Sequence, residues 1–226
     1  MADLKLGTTE VEWKSTDDLT TAIKWLNSLP SLAAFDFETA SRYSPEEVAT
    51  FTNQLETASP SEARSLRQKI SADGLSNPRL SHITHLSAAG SETEGFVIIA
   101  KDEATRQALF DWLVTTTITQ IWHNLSFDGL HIFHATKKFP INYEDTQQLA
   151  KSLVNHTNPQ KALTGLKLLM GHKYGSWAVS SDMFDTKNLY DEALLKYATI
   201  DACATFALWN FLQEQIAYRN NPQDVL

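Results

Sequence analysis

Cysteine is almost missing from this chain. Cys203 is the only one in 226 residues, so no disulfide can close within the chain, which suits a reducing compartment. Long apolar runs are missing too. No stretch approaches the ~20 residues that span a bilayer, and the opening Met-Ala-Asp-Leu-Lys-Leu lacks the basic-then-apolar pattern of a signal peptide. These absences predict a soluble cytoplasmic protein with no membrane partner. Basic charge is also scarce. Nineteen Lys and Arg face 27 Asp and Glu, a net charge of −8. A binder of nucleic acid by bulk electrostatics alone would be basic. The balance reverses locally: residues 137–173 hold six lysines (137, 138, 151, 161, 167, 173) against Glu144 and Asp145, a net of +4.

What is present suits one large domain over residues 1–226. The hydrophobic fraction is 42%, with six Trp to fill a core. Residues 41–80 change character. They are rich in Ser, Thr, Glu and Arg, carry five acids and five bases, and contain Pro45, Pro60 and Pro78. We read them as an insertion of two helices, over 45–57 and 61–71, with Pro45 and Pro60 near their starts. It could act as a lid, as a docking surface, or as a hairpin that covers the sheet.

The apolar stretch Leu-Ala-Ala-Phe-Asp-Phe-Glu-Thr at residues 32–39 is predicted to be a buried strand. Asp36 and Glu38 are two apart, so they share one face of it. Two carboxylates side by side at the end of a buried strand repel each other and lose hydration. A divalent cation with a preference for oxygen ligands would offset that. The alternative is a strand end open to solvent.

Around this strand the pattern alternates. Residues 9–13 could form a short edge strand, and Ser15 or Thr16 caps a helix ending before Pro30. Two strands, 82–88 and 95–99, form a hairpin beside the first. Asp102 caps the next helix, and residues 120–122 make a short strand. His123-Asn124-Leu125-Ser126-Phe127-Asp128 opens a helix, and residues 141–146 are another strand. Further helices follow over about 147–154 and 163–170, the second closed by Gly171. A long helix runs from near Asp191 to Asn220. The order predicts an α/β fold with a mixed sheet of about five strands, helices on both faces, and a helical insertion after the first core strand.

Two more acids are oddly placed. Asp128 sits at a strand-to-helix junction, where it could simply cap the helix. Asp201 lies mid-helix among Ile200, Ala202 and Cys203, one turn after Tyr197 on the same face. It could instead be a surface acid bonded to the Tyr197 hydroxyl. Other pairs carry less: His82/His85 and His131/His134 are three apart with no third ligand in view for zinc. Cys203 reads as a small apolar core residue, and the Trp residues read as core.

Taken in order, Asp-x-Glu on a strand, Asn-x-x-x-Asp at a helix start and Tyr-x-x-x-Asp on a last helix resemble the DEDD superfamily of 3′–5′ exonucleases, of the ribonuclease H-like fold. The wording Phe-Asp-Phe-Glu-Thr is most similar to the proofreading exonuclease domain of family A DNA polymerases. Lys196 stands where one branch has histidine, so Tyr197 places the chain with the tyrosine (DEDDy) branch.

The resemblance implies a metal-dependent 3′–5′ exonuclease that acts on single-stranded DNA ends and releases nucleoside 5′-monophosphates. It implies two Mg²⁺ or Mn²⁺ ions held by Asp36, Glu38, Asp128 and Asp201, with Asp36 shared. Tyr197 would orient the attacking water. Thr39, Asn124 and Phe127 would contact the substrate. The 137–173 lysines could meet the rest of the strand, or form an ordinary solvated face. The chain stops soon after the last helix, so we expect a free-standing enzyme, with a DNA polymerase as candidate partner. The alternatives are an RNA 3′-end trimming enzyme and a non-catalytic binding module on the same fold.

Overall fold

The strand that carries Asp36 and Glu38 lies inside the sheet, paired on both sides. This is seen in a computed structural model, which describes residues 9–70, 77–153, 164–175 and 188–220. Six strands are present among these residues: β1 (Glu12–Thr16), β2 (Leu32–Ser41), β3 (Ser81–Ala89), β4 (Glu94–Ile99), β5 (Thr119–Trp122) and β6 (Tyr143–Asp145). Their order is β1-β4-β3-β2-β5-β6. β2 runs antiparallel to β3 and parallel to β5, and β1 runs parallel to β4.

Alternation along β2 sorts its side chains between two layers. Ala33, Phe35 and Phe37 enter one core with Leu26 of α1 (Leu19–Asn27), Leu109 and Leu113 of α4 (Glu103–Thr115), and Ile132 of α5 (Leu125–Thr136). The Phe35 and Trp122 rings stack at 5.5 Å, and Phe37 meets Phe110 edge-on at 5.9 Å. Asp36 and Glu38 have the opposite parity. On that face a second core joins Ala150 of α6 (Thr146–Leu153), Met170 of α7 (Leu166–Tyr174), and Ala202, Cys203 and Leu208 of α8 (Glu192–Asn220). α8 lies close against the sheet at Gly95. A Cβ there would sit 2.9 Å from Thr199 Cγ2 and 3.0 Å from the Ala88 carbonyl oxygen. This approach delivers Tyr197 and Asp201 to β2.

Several expectations need correction. The mixed sheet is as expected, and its edge strand covers residues 12–16 rather than 9–13, paired with β4. Ser15 and Thr16 belong to that strand, and Asp18 caps α1 instead, its Oδ1 accepting from the Thr21 N–H at 2.8 Å. The predicted stop at Gly171 is not one. The helix runs on to Tyr174 and closes at Gly175, whose φ of 76° needs glycine. The facing ends of the two predicted helices, at residues 154 and 163, lie outside the described residues.

Within residues 41–80 lie α2 (Pro45–Leu55) and α3 (Pro60–Ile70). Ser44 and Glu47 close a capping box on α2. α2 buries no residue and α3 only Ala63, so the pair stands out as an arm and does not cover the sheet. Tyr43 and Phe51 meet edge-on at 5.0 Å at its base, with the Lys69 ammonium over both rings.

Candidate active site

Three carboxylates converge where β2 meets α8. Oxygens of Asp36, Glu38 and Asp201 lie within 4.8 Å of one another. Asp36 and Glu38 are half-buried, while Asp201 is only 6% exposed. A register shift helps to aim them. Glu38 pairs with His85 but Thr39 pairs with Ile83, so Thr84 is an extra residue in β3. The Thr84 hydroxyl donates to the Glu38 carbonyl at 3.1 Å. Such bulges re-aim side chains.

Asp128 approaches from α5 and is 2% exposed. Its Oδ1 is buried without a hydrogen-bond partner among the described residues. An ionised oxygen left unpaired there is costly. Burial raises its pKa well above the usual carboxylate range, and the charge of Asp36 adds to this. Burial likewise raises Asp36, to about 6, against the pull of Lys167. It raises Glu38 to about 8, reinforced by Asp36. Three acids that each resist ionising alone, beside the ion-paired Asp201 and all with hard oxygen donors, fit divalent cations, which would reverse the local sign of charge.

One cation in the cluster was not singled out from sequence. Lys167, on α7, ion-pairs with Asp201 and places its ammonium 4.3 Å from the centre of the Tyr197 ring. Burial lowers its pKa to about 8, opposed by Asp36 and Glu38. Asp201 is therefore a buried ion-paired acid and not the surface acid of the alternative. Tyr197 sits one turn away on α8, partly buried, and burial together with Glu38 and Asp36 raises its hydroxyl pKa.

The turn before α5 is fixed by Asp145. Its carboxylate accepts from the N–H groups of Asn124 (3.1 Å) and Leu125 (3.0 Å), and from those of Gln147 (2.9 Å) and Gln148 (3.2 Å) on α6. One side chain thus ties together the starts of two helices. Asn124 is left-handed, with φ 68°. Its side-chain oxygen accepts from Ser126 at 2.7 Å. Thr39 and Phe127 are both half-buried, and the Phe127 ring lies 5.9 Å from His131. Of the 137–173 lysines, Lys173 pairs with Glu92 and Lys151 bonds Gln147. Lys161 lies outside the described residues.

No protein-family model matches the sequence, and no curated protein matches it. Solved structures do match. One is Brucella melitensis NrnC with bound Mg²⁺: 17% identity, TM-score 0.53, over 96% of this chain and 85% of that one. NrnC was also solved bound to pGG. Another is the catalytic core of RRP6 from Trypanosoma brucei: 14% identity, TM-score 0.57, over 96% of this chain and 52% of that one. A third is Escherichia coli RNase D, an exoribonuclease involved in structured RNA processing: 15% identity, TM-score 0.54, over 94% of this chain and 46% of that one. At such identities the likeness establishes the fold: mixed α/β of the ribonuclease H-like type, as in these exonuclease domains. Among the described residues no helix is long and apolar enough to cross a membrane.

Proposed function

We propose that this protein is a metal-dependent 3′–5′ exonuclease of the DEDDy type that removes nucleoside 5′-monophosphates from single-stranded RNA ends. The observation that carries the reading is the convergence of Asp36, Glu38 and Asp201 within 4.8 Å on a ribonuclease H-like sheet. Asp128 with its unpartnered Oδ1 stands beside them. Phosphodiester hydrolysis needs charge compensation and a positioned water, and two divalent cations, Mg²⁺ or Mn²⁺, supply Lewis-acid chemistry of that kind when bound. Asp36 belongs to the three-carboxylate group and is also the acid whose charge acts most on Asp128, so it is the proposed shared ligand. Glu38 and Asp201 would hold a cation together with Asp36, and Asp128 would help to hold a second. Tyr197 stays protonated at neutral pH, so it acts by orienting the attacking water through its hydroxyl, not as a base. Lys167 serves as the cluster's internal counter-charge.

RNA is favoured because the matching structures include an exoribonuclease. The Phe-Asp-Phe-Glu-Thr wording resembles DNA enzymes and keeps single-stranded DNA as a second reading. Proofreading with a DNA polymerase partner rests on that resemblance alone. The test compares matched RNA and DNA single strands with Mg²⁺. RNA is expected to show the higher kcat/KM, and a preference for DNA returns the reading to the proofreading class.

A further inference from the structure

A second polar site lies at the root of the arm, on the α4–α5 side of the sheet. There a cavity of about 240 Å³ is lined by Arg42, His82, Arg106, His131 and His134, with Glu103 at its edge. For a chain of net charge −8 this is an unusual concentration of basic side chains. The two guanidinium groups are held in place by backbone carbonyls. Arg42 Nε donates to the Ser81 oxygen at 2.8 Å, and Arg106 NH1 to the Ala100 oxygen at 3.0 Å. Glu103 is paired with Arg106 at 3.0 Å, while Arg42 has no carboxylate partner among the described residues. The positive potential also reaches neighbouring groups. Burial lowers the His82 pKa, and the charges of Arg106 and Arg42 add to this.

We propose that this cavity binds a phosphate group of the nucleic acid strand whose 3′ end occupies the carboxylate cluster. A fixed guanidinium without a carboxylate partner is well matched to a phosphate by its fork of donors. The position follows from the elements. Arg42 is four residues past Glu38, about 13 Å along an extended chain. His131 and His134 are three and six residues past Asp128, about 4.5 and 9 Å along the helix. At about 3.4 Å per phosphate in a stacked strand, these spans correspond to a phosphate about one to four positions from the cut. The inference rests on the exonuclease reading for the direction of the strand, but not for the cavity itself.

Binding is measured by fluorescence anisotropy with labelled single-stranded 12-mers and dinucleotides in EDTA, which withholds the cations and stops cleavage. Arg42→Ala and His82→Gln are compared with wild type and with Lys24→Ala on the outer face of α1. The expected result is about 10-fold weaker binding of the 12-mer by Arg42→Ala, a salt dependence reduced by about one charge, and less than a 2-fold change for the dinucleotide. A smaller loss of the same kind is expected for His82→Gln. If both variants bind the 12-mer as Lys24→Ala does, the site is wrong. A calorimetric titration with inorganic phosphate separates the sources. Phosphate binding that depends on Arg42 while 12-mer binding does not would assign a free phosphate and overturn the strand. Cleavage is scored separately, so a protein that binds here and cuts nothing removes the exonuclease reading and leaves the cavity standing.

Discussion

The ammonium of Lys167 is ion-paired with the carboxylate of Asp201, at the position where a cation would neutralise the acidic cluster. An incoming metal has to compete with it. Lys167→Met should therefore lower the melting temperature of the metal-free protein, by about 1–3 kcal/mol of stability, because Asp201 is left buried without its partner. The same variant should bind Mg²⁺ about 10-fold more tightly. Melting curves with and without Mg²⁺ check both: the stabilisation by Mg²⁺ should be larger in the variant than in wild type.

Removing a carboxylate should do the opposite. Asp36→Ala and Asp201→Asn should each lower kcat on a single-stranded substrate by 10³-fold or more, on the order expected when a metal site is lost. Both should abolish the Mg²⁺-dependent rise in melting temperature. Relief of repulsion should leave metal-free Asp36→Ala at least as stable as wild type, since burial already disfavours that charge.

Tyr197→Phe removes only a hydroxyl. If that hydroxyl orients water, kcat should fall about 10²-fold with Mg²⁺ affinity within 2-fold of wild type. Steady-state kinetics and a Mg²⁺ titration of the same sample separate the two effects.

Asp145→Ala should loosen the start of α5 without touching the cluster. Its carboxylate accepts four backbone N–H groups. Loss of a cap costs about 1–2 kcal/mol, and amide exchange at residues 124–128 should speed up. Activity should fall with the displacement of Asp128, and Asp145→Asn should restore part of it through its one remaining acceptor oxygen.

His123 gives a pH dependence. Burial lowers its pKa to about 4, opposed by Asp145. Its unfolded value is near 6.5. Above 6.5 neither state holds the proton. Between 6.5 and 4 only the unfolded chain does, so this contribution to stability falls as pH falls. By about pH 5 the loss is on the order of 2 kcal/mol. Urea midpoints at pH 7 and pH 5 should show wild type losing about that much more than His123→Gln.

The acids that converge were legible because each breaks a local rule: Asp36 and Glu38 share one face of an apolar strand, and Asp201 sits inside a helix. Helical period and capping residues also located most elements. What was not legible depends on partners distant in sequence. Lys167 meets Asp201 across 34 residues, and nothing near Lys167 distinguishes it from five other lysines in the same basic stretch. The extra residue Thr84 is visible only once β3 is paired with β2. β1 is short and polar, and it exists because β4 offers an edge. The two helices of the arm were predicted within a few residues but not their placement, since a helical period says which face is apolar and not whether anything covers it. His82, His131 and His134 were set aside as unconnected pairs, and only the fold brings them to one cavity with two arginines.

The most direct test uses a 5′-labelled single-stranded RNA and purified protein with Mg²⁺, with EDTA, and with Asp36→Ala in place of wild type. The account predicts a ladder shortening from the 3′ end with Mg²⁺ and wild type, mononucleotide 5′-phosphates as product, and intact RNA in the other two lanes. Intact RNA in every lane, or equal shortening by Asp36→Ala, would contradict it.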